Sequence, residues 1–140
     1  MIDLKQYIEE SLLDDFDKIA SNQNPEEEVI KFLQDNYYGH INTYTIHLGE
    51  NGKYVVDVNG DLSPKKNKLK TLTNGMFEFN QVWGSVDFQG LNITSLEGSP
   101  KVVYGSFDCS RCQNLTSLEG SPKVVYGSFD CSQCKKLTSL

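Results

Sequence analysis

The spacing of apolar and polar positions predicts two helices at the start of the chain. Residues 4–19 place leucine, isoleucine and phenylalanine at helical intervals, with acidic residues mostly on the opposite side. A second helix is predicted to begin with Asn24 as its N-cap and Pro25 in its first turn, because both residue types are favoured at helix starts. We expect its buried face to comprise Val29, Ile30, Leu33 and Tyr37.

Two short alternating segments after the helices predict a β-hairpin. Residues 43–48 and 53–58 are rich in β-branched and aromatic residues, and they flank a Gly-Glu-Asn-Gly turn at residues 49–52. The helices and the hairpin would together close the first turn of the structure that follows, because an uncovered end leaves apolar side chains and strand edges in water.

A repeat dominates the second half of the chain. Residues 96–117 recur as residues 118–139 with few changes, a period of 22 residues that falls within the range of leucine-rich repeats. Each unit holds a short alternating strand, a Leu-Thr-Ser-Leu segment and a Gly-Ser-Pro turn. In the strand over residues 106–110, Phe107 and Cys109 are predicted to point inward, because alternate residues of a strand face opposite sides. The residues predicted to point outward are Ser106, Asp108 and Ser110.

Weaker copies extend the repeat toward the N-terminus. Residues 83–96 keep the Gly-Ser and Thr-Ser-Leu steps, and residues 56–72 keep the same order around a lysine-rich insertion. The sequence therefore predicts an α+β protein. An N-terminal cap of two helices and the start of the hairpin would span residues 1–53. A solenoid of the leucine-rich-repeat type would span residues 54–140, with about four coils and a parallel β-sheet on its concave face.

One stretch of the repeat resembles a known family. The sequence Leu-Thr-Ser-Leu-Glu-Gly-Ser-Pro-Lys-Val-Val-Tyr-Gly-Ser-Phe-Asp-Cys-Ser is similar to the short leucine-rich repeats of bacterial secreted effectors. It resembles more closely the repeats of uncharacterised proteins from tailed bacteriophages. The resemblance covers roughly residues 54–140 and implies a curved solenoid whose concave face contacts proteins, without implying a shared activity. Cys112 and Cys134 stand where the effectors carry an asparagine ladder.

Composition and charge limit the cellular locations and the classes of ligand that we expect for this protein. The 140 residues contain no apolar run near the length of about 20 that a membrane helix needs and no leader-like N-terminus. We therefore expect a cytoplasmic protein without membrane contact, located in the host cell if a phage encodes it. The net charge of −6 is concentrated in residues 1–40, while the basic cluster at residues 64–70 is interpreted as an exposed turn. We expect no nucleic-acid binding, because phosphate affinity depends on lysine and arginine.

The four cysteines permit more than one interpretation. They form two CxxC pairs with the spacing of a zinc ribbon: Cys109, Cys112, Cys131 and Cys134. The repeat itself generates this spacing, so we favour packing as small buried side chains, with zinc binding and disulfides as alternatives. His40 and His47 lie apart from the cysteines and the repeat serines in sequence. No catalytic residues are therefore predicted, and we expect a protein that is not an enzyme and uses no cofactor.

An aspartate occupies the same place in all four predicted coils: Asp57, Asp87, Asp108 and Asp130. Stacking in register would line up these carboxylates on the concave face, where like charges repel. We predict a docking strip for a basic protein surface, assisted by Ser106, Ser110, Ser128 and Ser132. Alternatively, serines, Arg111 and backbone amides solvate the carboxylates. Poorly compensated carboxylates would have raised pKa values, and Asp108→Asn would then stabilise the fold.

The sequence favours a non-enzymatic protein-binding module. The resemblance to phage proteins suggests a host partner, including a host defence enzyme inhibited by direct contact. A second hypothesis is mimicry of nucleic acid by the acidic N-terminal helices, through Glu9, Asp14, Glu26 and Glu27. A third is a zinc- or thiol-dependent enzyme.

The last predicted coil suggests self-association. Its inward residues, including Val124, Phe129 and Cys131, would lie at an open edge that can pair with another chain. We favour a homodimer through this C-terminal rung. The alternatives are a longer repeat protein and a monomer whose last turn folds back.

Overall fold

A computed structural model of the chain describes residues 25–65 and 69–138. The predicted first helix, with Glu9 and Asp14, and the predicted cap Asn24 lie outside the described residues. Within them, the structure contains helix α1 (Pro25–Asn36), a 3-10 turn (Ile41–Thr43) and eight strands. The strands are β1 (Tyr44–Leu48), β2 (Tyr54–Val58), β3 (Phe77–Val82), β4 (Val86–Asp87), β5 (Val102–Val103), β6 (Phe107–Asp108), β7 (Val124–Val125) and β8 (Phe129–Asp130).

Helix α1 begins at Pro25, as the sequence predicts. Three glutamates occupy its first turn, where carboxylates interact favourably with the positive end of the helix dipole. Val29 and Leu33 are fully buried, and Ile30 is half-buried. Among the described residues, no helix has the length and apolar character that crossing a membrane requires.

Aromatic residues dock the helix segment onto the sheet that follows. Phe32 meets Phe77 edge-on at 5.7 Å between ring centroids, and Tyr37 meets Phe79 at 5.4 Å. The Tyr37 hydroxyl donates a 2.7 Å hydrogen bond to the backbone oxygen of Leu72. Because this hydroxyl is buried, the bond removes the cost of an unpaired polar group. Burial raises the pKa of Tyr37 well above its ordinary value.

The strands form two sheets. The larger has the order β1-β2-β3-β5-β7, in which β1 is antiparallel to β2 and the other neighbours are parallel. The smaller has the order β4-β6-β8 and is entirely parallel. The predicted hairpin is confirmed, with Tyr44 opposite Val58 and Leu48 opposite Tyr54. The hairpin therefore belongs to the same sheet as the repeats.

The repeats build a β-solenoid of about three turns, fewer than the four coils predicted. The α+β class, the solenoid and the parallel sheet are confirmed. Each repeat contributes one short strand to each sheet, and a Gly-Ser corner separates the two strands. A Cβ atom at Gly105 would lie 2.7 Å from the backbone oxygen of Gly84 in the preceding turn. Only glycine therefore lets consecutive corners approach closely enough for Gly105 N to donate to that oxygen at 2.9 Å.

The interior is filled by equivalent residues of successive turns. Phe107 and Cys109 are fully buried, which confirms their predicted inward direction. Leu69 and Leu72 of the divergent upstream copy are also buried, at 3% and 2% exposure. The apolar repeat positions thus form one continuous core.

Candidate partner-binding face

Three of the four predicted aspartates lie side by side on the smaller sheet. Asp87 pairs with Asp108 between β4 and β6, and Asp108 pairs with Asp130 between β6 and β8. The residues before and after Asp87 and Asp108 are buried in the core, so alternation turns these carboxylates outward, and Asp130 continues their register. We call these three residues the aspartate row.

Asp57 does not belong to this row, which corrects the prediction of four aligned aspartates. It lies in β2 of the larger sheet, where its Oδ1 accepts a hydrogen bond from Gln81 N at 3.0 Å. The bridge between Leu62 and Val86 places Ser63 beside Asp87 instead. The alternating pattern around Asp57 does suit a strand, but it does not reveal on which side of the corner that strand lies.

Each carboxylate of the row accepts a hydrogen bond from the backbone two residues later in the chain. The donors are Gln89 N at 3.1 Å, Ser110 N at 2.9 Å and Ser132 N at 2.9 Å. This local pattern holds aspartate in a turn. This is the arrangement in which serines and backbone amides solvate the carboxylates. Repulsion between the three carboxylates is therefore partly compensated.

The pKa of Asp130 is lowered, the direction opposite to the one that poor compensation would produce. Hydrogen bonds from the Ser132 hydroxyl and backbone lower it from its ordinary value of 3.8, and the positive charge of Arg111 adds to the effect. These interactions favour the ionised form. The condition for a raised pKa, a poorly compensated carboxylate, is therefore not met at Asp130.

The predicted serines divide into buried and exposed positions. Ser110 is only 4% exposed, and its hydroxyl donates to Asp108 at 2.6 Å, so the prediction that it faces outward is wrong. Ser106 is half-buried, and its Oγ accepts a hydrogen bond from Ser128 N at 3.1 Å. Ser128 and Ser132 are exposed.

A stack of aromatic rings repeats along the solenoid, one ring per turn, directly after strands β3, β5 and β7 of the larger sheet. Trp83 and Tyr104 stack with centroids 4.2 Å apart and planes 7° from parallel, and Tyr104 and Tyr126 stack at 5.2 Å and 10°. Trp83 is 53% exposed and Tyr126 is 68% exposed. We call this set the aromatic ladder. Sequence reasoning assigned it no role, although an aromatic residue before Gly-Ser in three copies is a visible signal.

A shallow groove of about 340 Å³ opens beside Asp87 and Asp108 of the aspartate row. Its polar lining consists of Asp61, Ser63, Ser85, Asp87, Gln89, Ser106 and Asp108. Asp61 takes the place of a corner serine, since its Oδ1 accepts a hydrogen bond from Ser85 N at 2.8 Å. The groove and the aspartate row together form the acidic face.

The cysteines pack inside the solenoid. Cys109 and Cys112 are fully buried, and burial raises their pKa values to about 12 and about 11. The Cys112 thiol donates to the backbone oxygen of Phe88, and the Cys134 thiol donates to that of Cys109, both at 3.2 Å. These two thiol hydrogen bonds thus link each turn to the preceding one. Within residues 25–65 and 69–138, no group of three or more His, Cys, Asp or Glu side chains is placed to hold a metal ion.

The remaining candidates lie near the start of the described chain. Glu26 and Glu27 are exposed in the first turn of α1. His40 and His47 are also exposed and lie outside the acidic face.

Comparison with known proteins gives no relative: no family model, curated protein or solved structure matches this chain. The resemblance to effector and phage repeats therefore stays a prediction.

Proposed function

We propose that this protein is a non-enzymatic binding module of the leucine-rich-repeat type whose acidic face docks a basic surface of a partner protein. The observation that carries the proposal is the in-register alignment of the aspartate row, which has the same repeat interval as the aromatic ladder. Asp87 follows Trp83 by four residues, and the same interval recurs in the next two turns. Carboxylates and exposed aromatic rings thus repeat together along the solenoid.

Arginine is the residue that fits this combination best. Its planar guanidinium pairs with carboxylates and also packs on aromatic rings. A carboxylate offers about four acceptor sites, so a local backbone hydrogen bond leaves capacity for an incoming donor. Tyrosine, tryptophan and arginine are also enriched among the residues that dominate protein interfaces.

The repeat spacing favours a partner with regularly placed basic residues. Adjacent parallel strands lie about 4.8 Å apart, whereas alternate side chains of an extended segment lie about 6.6 Å apart on one face. A partner therefore cannot match every turn with one extended segment along the row. We propose a folded basic surface, in which arginines from different segments meet successive turns.

The identity proposed for this partner follows the resemblance to phage repeats. We propose a host protein, including a defence enzyme that is inhibited when the acidic face covers its basic surface. Such a surface is typical of proteins that bind phosphate backbones. Inhibition would then result from competition with the enzyme's own anionic ligand.

The experiment is capture of partners from host lysate by the wild type and by matched variants, with quantification by mass spectrometry. The test variant is Asp87→Asn with Asp108→Asn, which removes two charges and changes side-chain shape little. The control is Glu26→Gln with Glu27→Gln, which removes two charges from α1. We expect the first variant to weaken binding of the purified partner about tenfold or more, and the control to bind like the wild type.

The opposite pattern would support the second candidate, nucleic-acid mimicry by the N-terminal helices. Loss of binding in the Glu26 and Glu27 variant, with the aspartate variant unaffected, would overturn docking through the acidic face. A partner captured equally by both variants would also contradict the proposal. Adding Tyr104→Ala separates a role of the aromatic ladder from a role of charge.

Self-association through the last described turn stays a prediction. Tyr126 is 68% exposed, and Val124 and Phe129 are each 40% exposed, which leaves an apolar edge beside β7 and β8. Light scattering over a concentration series, repeated with Phe129→Lys, measures this directly. A wild type that stays monomeric at high concentration would contradict the homodimer.

A further inference from the structure

A second groove, which shares no lining residue with the acidic face, collects positive charge in a chain whose net charge is −6. Its volume is about 650 Å³, within the range of small-molecule sites, about 300–1,000 Å³. Four lysines from four separate segments line it: Lys53, Lys70, Lys101 and Lys123. We call this region the lysine groove.

Acidic residues in the groove offset only part of this charge. Glu78 forms an ion pair with Lys101 at 3.2 Å, and Glu97 also lines the groove. The lysines still outnumber the glutamates by two. Lys70 and Lys123 are exposed, so their ammonium groups are available to a ligand in the groove.

Ser99 gives an independent indication of a ligand. It lines the groove and is 9% exposed, and its Oγ is buried without a hydrogen-bond partner among the described residues. Buried hydroxyls in folded proteins nearly always have a partner. In the conformation described, this hydroxyl has almost no accessible surface; a rotation of the Ser99 side chain toward the groove would bring it to a ligand oxygen, which would supply the missing partner.

Other hydroxyls in the groove are held in a donating orientation. Thr73 Oγ1 accepts a hydrogen bond from Gly75 N at 3.2 Å, and Ser95 Oγ accepts one from Glu97 N at 3.3 Å. A hydroxyl that accepts from the backbone keeps its own proton to donate. The groove therefore offers ammonium and hydroxyl donors, which suit a ligand rich in anionic oxygen.

We propose that the lysine groove binds a small phosphate-bearing molecule, with Lys70, Lys123 and Ser99 contacting the phosphate oxygens. A phosphate ester presents several acceptor oxygens and a negative charge, and lysine binds it as a point charge. A long polyanion is disfavoured, because the chain is acidic overall and carries the aspartate row on another side. This inference is independent of the protein partner proposed above.

The test is calorimetric titration of the full chain with ribose 5-phosphate, inorganic phosphate and ribose at constant ionic strength. We expect saturable binding of ribose 5-phosphate and none of ribose. Lys70→Gln and Lys123→Gln should each weaken binding about tenfold, and together about a hundredfold, because each removes a charged hydrogen bond. Lys135→Gln with Lys136→Gln is the matched control, since both lysines are exposed and lie outside the groove.

Ser99→Ala adds a measurement that needs no ligand. Removing an unpartnered hydroxyl should leave the melting temperature equal to or above that of the wild type, while weakening ribose 5-phosphate binding severalfold. A lower melting temperature without ligand would show that the hydroxyl already has a partner, and would overturn its assigned role.

Three results would overturn the proposal as a whole. The first is no saturable binding of either phosphate compound, and the second is equal weakening by the Lys135 and Lys136 control. The third is tighter binding of a single-stranded oligonucleotide than of ribose 5-phosphate at the same groove. The Asp87→Asn and Asp108→Asn variant should bind ribose 5-phosphate like the wild type, which separates this result from the fate of the protein-binding proposal.

Discussion

Two nearly identical copies of one sequence differ in environment. In residues 96–117, Phe107, Cys109 and Cys112 are fully buried. In residues 118–139, the equivalent Phe129 is 40% exposed, and both cysteines are only partly buried. The first copy has a turn on each side, whereas the second has one only on its N-terminal side within the described residues. Burial in a solenoid therefore depends on neighbouring turns as much as on the sequence of the turn itself.

The largest expected difference is between Phe107→Ala and Phe129→Ala. Truncating a fully buried phenylalanine costs about 3–5 kcal/mol of unfolding free energy, and we expect this range for Phe107. Phe129 should lose about half as much, because part of its side chain already contacts water. Denaturant unfolding of both variants measures the two values. Equal losses would indicate that Phe129 is covered in solution, as a homodimer would require.

Alanine at the corner glycines should have the next largest effect. A Cβ atom would lie 2.7 Å from the preceding backbone oxygen at both Gly105 and Gly127. We expect Gly105→Ala to cost toward the upper end of about 1–3 kcal/mol, the range for overpacking. Gly127→Ala should cost less, because the last described turn can shift away. Thermal melts of the pair test this, and a larger cost at Gly127 would contradict the comparison.

Glycine substitutions at the left-handed positions should stabilise the protein slightly. Arg111 and Gln133 adopt φ values of +57° and +56°, and Gly90 holds the equivalent place one turn earlier. Replacing Gln133 with glycine removes steric strain of about 1 kcal/mol. The added entropy of the unfolded chain offsets part of this gain. We expect a small rise in melting temperature, and Gln89→Gly, which lacks a positive φ, is the control that should lower it.

The smallest expected effect is on the pH dependence of stability, and it concerns Asp130. The lowered pKa of Asp130 means that its ionised form is favoured in the folded state. This contribution is present above the unfolded value near 4 and is lost as pH falls through the folded value. Asp130→Asn should therefore reduce the fall in melting temperature between pH 6 and pH 2.5. An unchanged fall would mean that the Ser132 hydrogen bonds do not distinguish the two protonation states.

Asp108→Asn tests the environment of the central aspartate at neutral pH. The Ser110 backbone and hydroxyl both donate to Asp108 Oδ1, so we now expect a modest loss of stability. The sequence analysis predicted a gain only for poorly compensated carboxylates. Melting at pH 7 decides between the two expectations, and stabilisation would restore the view that repulsion dominates the row.

The local sequence pattern predicted the features that depend on a few neighbouring residues. It gave the inward directions of Phe107 and Cys109, the hairpin, and the start of α1 at Pro25, because each follows from spacing within a few residues. It missed the second sheet, because a Gly-Ser step resembles an ordinary turn until the contact between Gly105 and Gly84 is known. The wrong placement of Asp57 has the same cause.

The lysine groove could not be predicted from the sequence. Its lysines come from the hairpin turn, the segment after the insertion and two repeat turns. Only the stacking of those segments brings them together, and no spacing along the chain indicates it. The aromatic ladder is different, because the sequence shows one aromatic residue before Gly-Ser in each of three copies. Only the exposure and stacking of these rings required the structure.

The hydrogen bonds of the corner serines all run from one turn to the turn before it. Ser85 Oγ accepts a hydrogen bond from Ser106 N, and Ser106 Oγ accepts one from Ser128 N, so each turn offers an acceptor that the next copy can use. Duplication of one 22-residue unit would therefore extend the stack without new complementary surfaces. It would lengthen the aspartate row and the aromatic ladder by one member each. Gene duplication alone would then add binding positions for a partner with repeated sites. The overall affinity for such a partner would rise more than the affinity of any single contact.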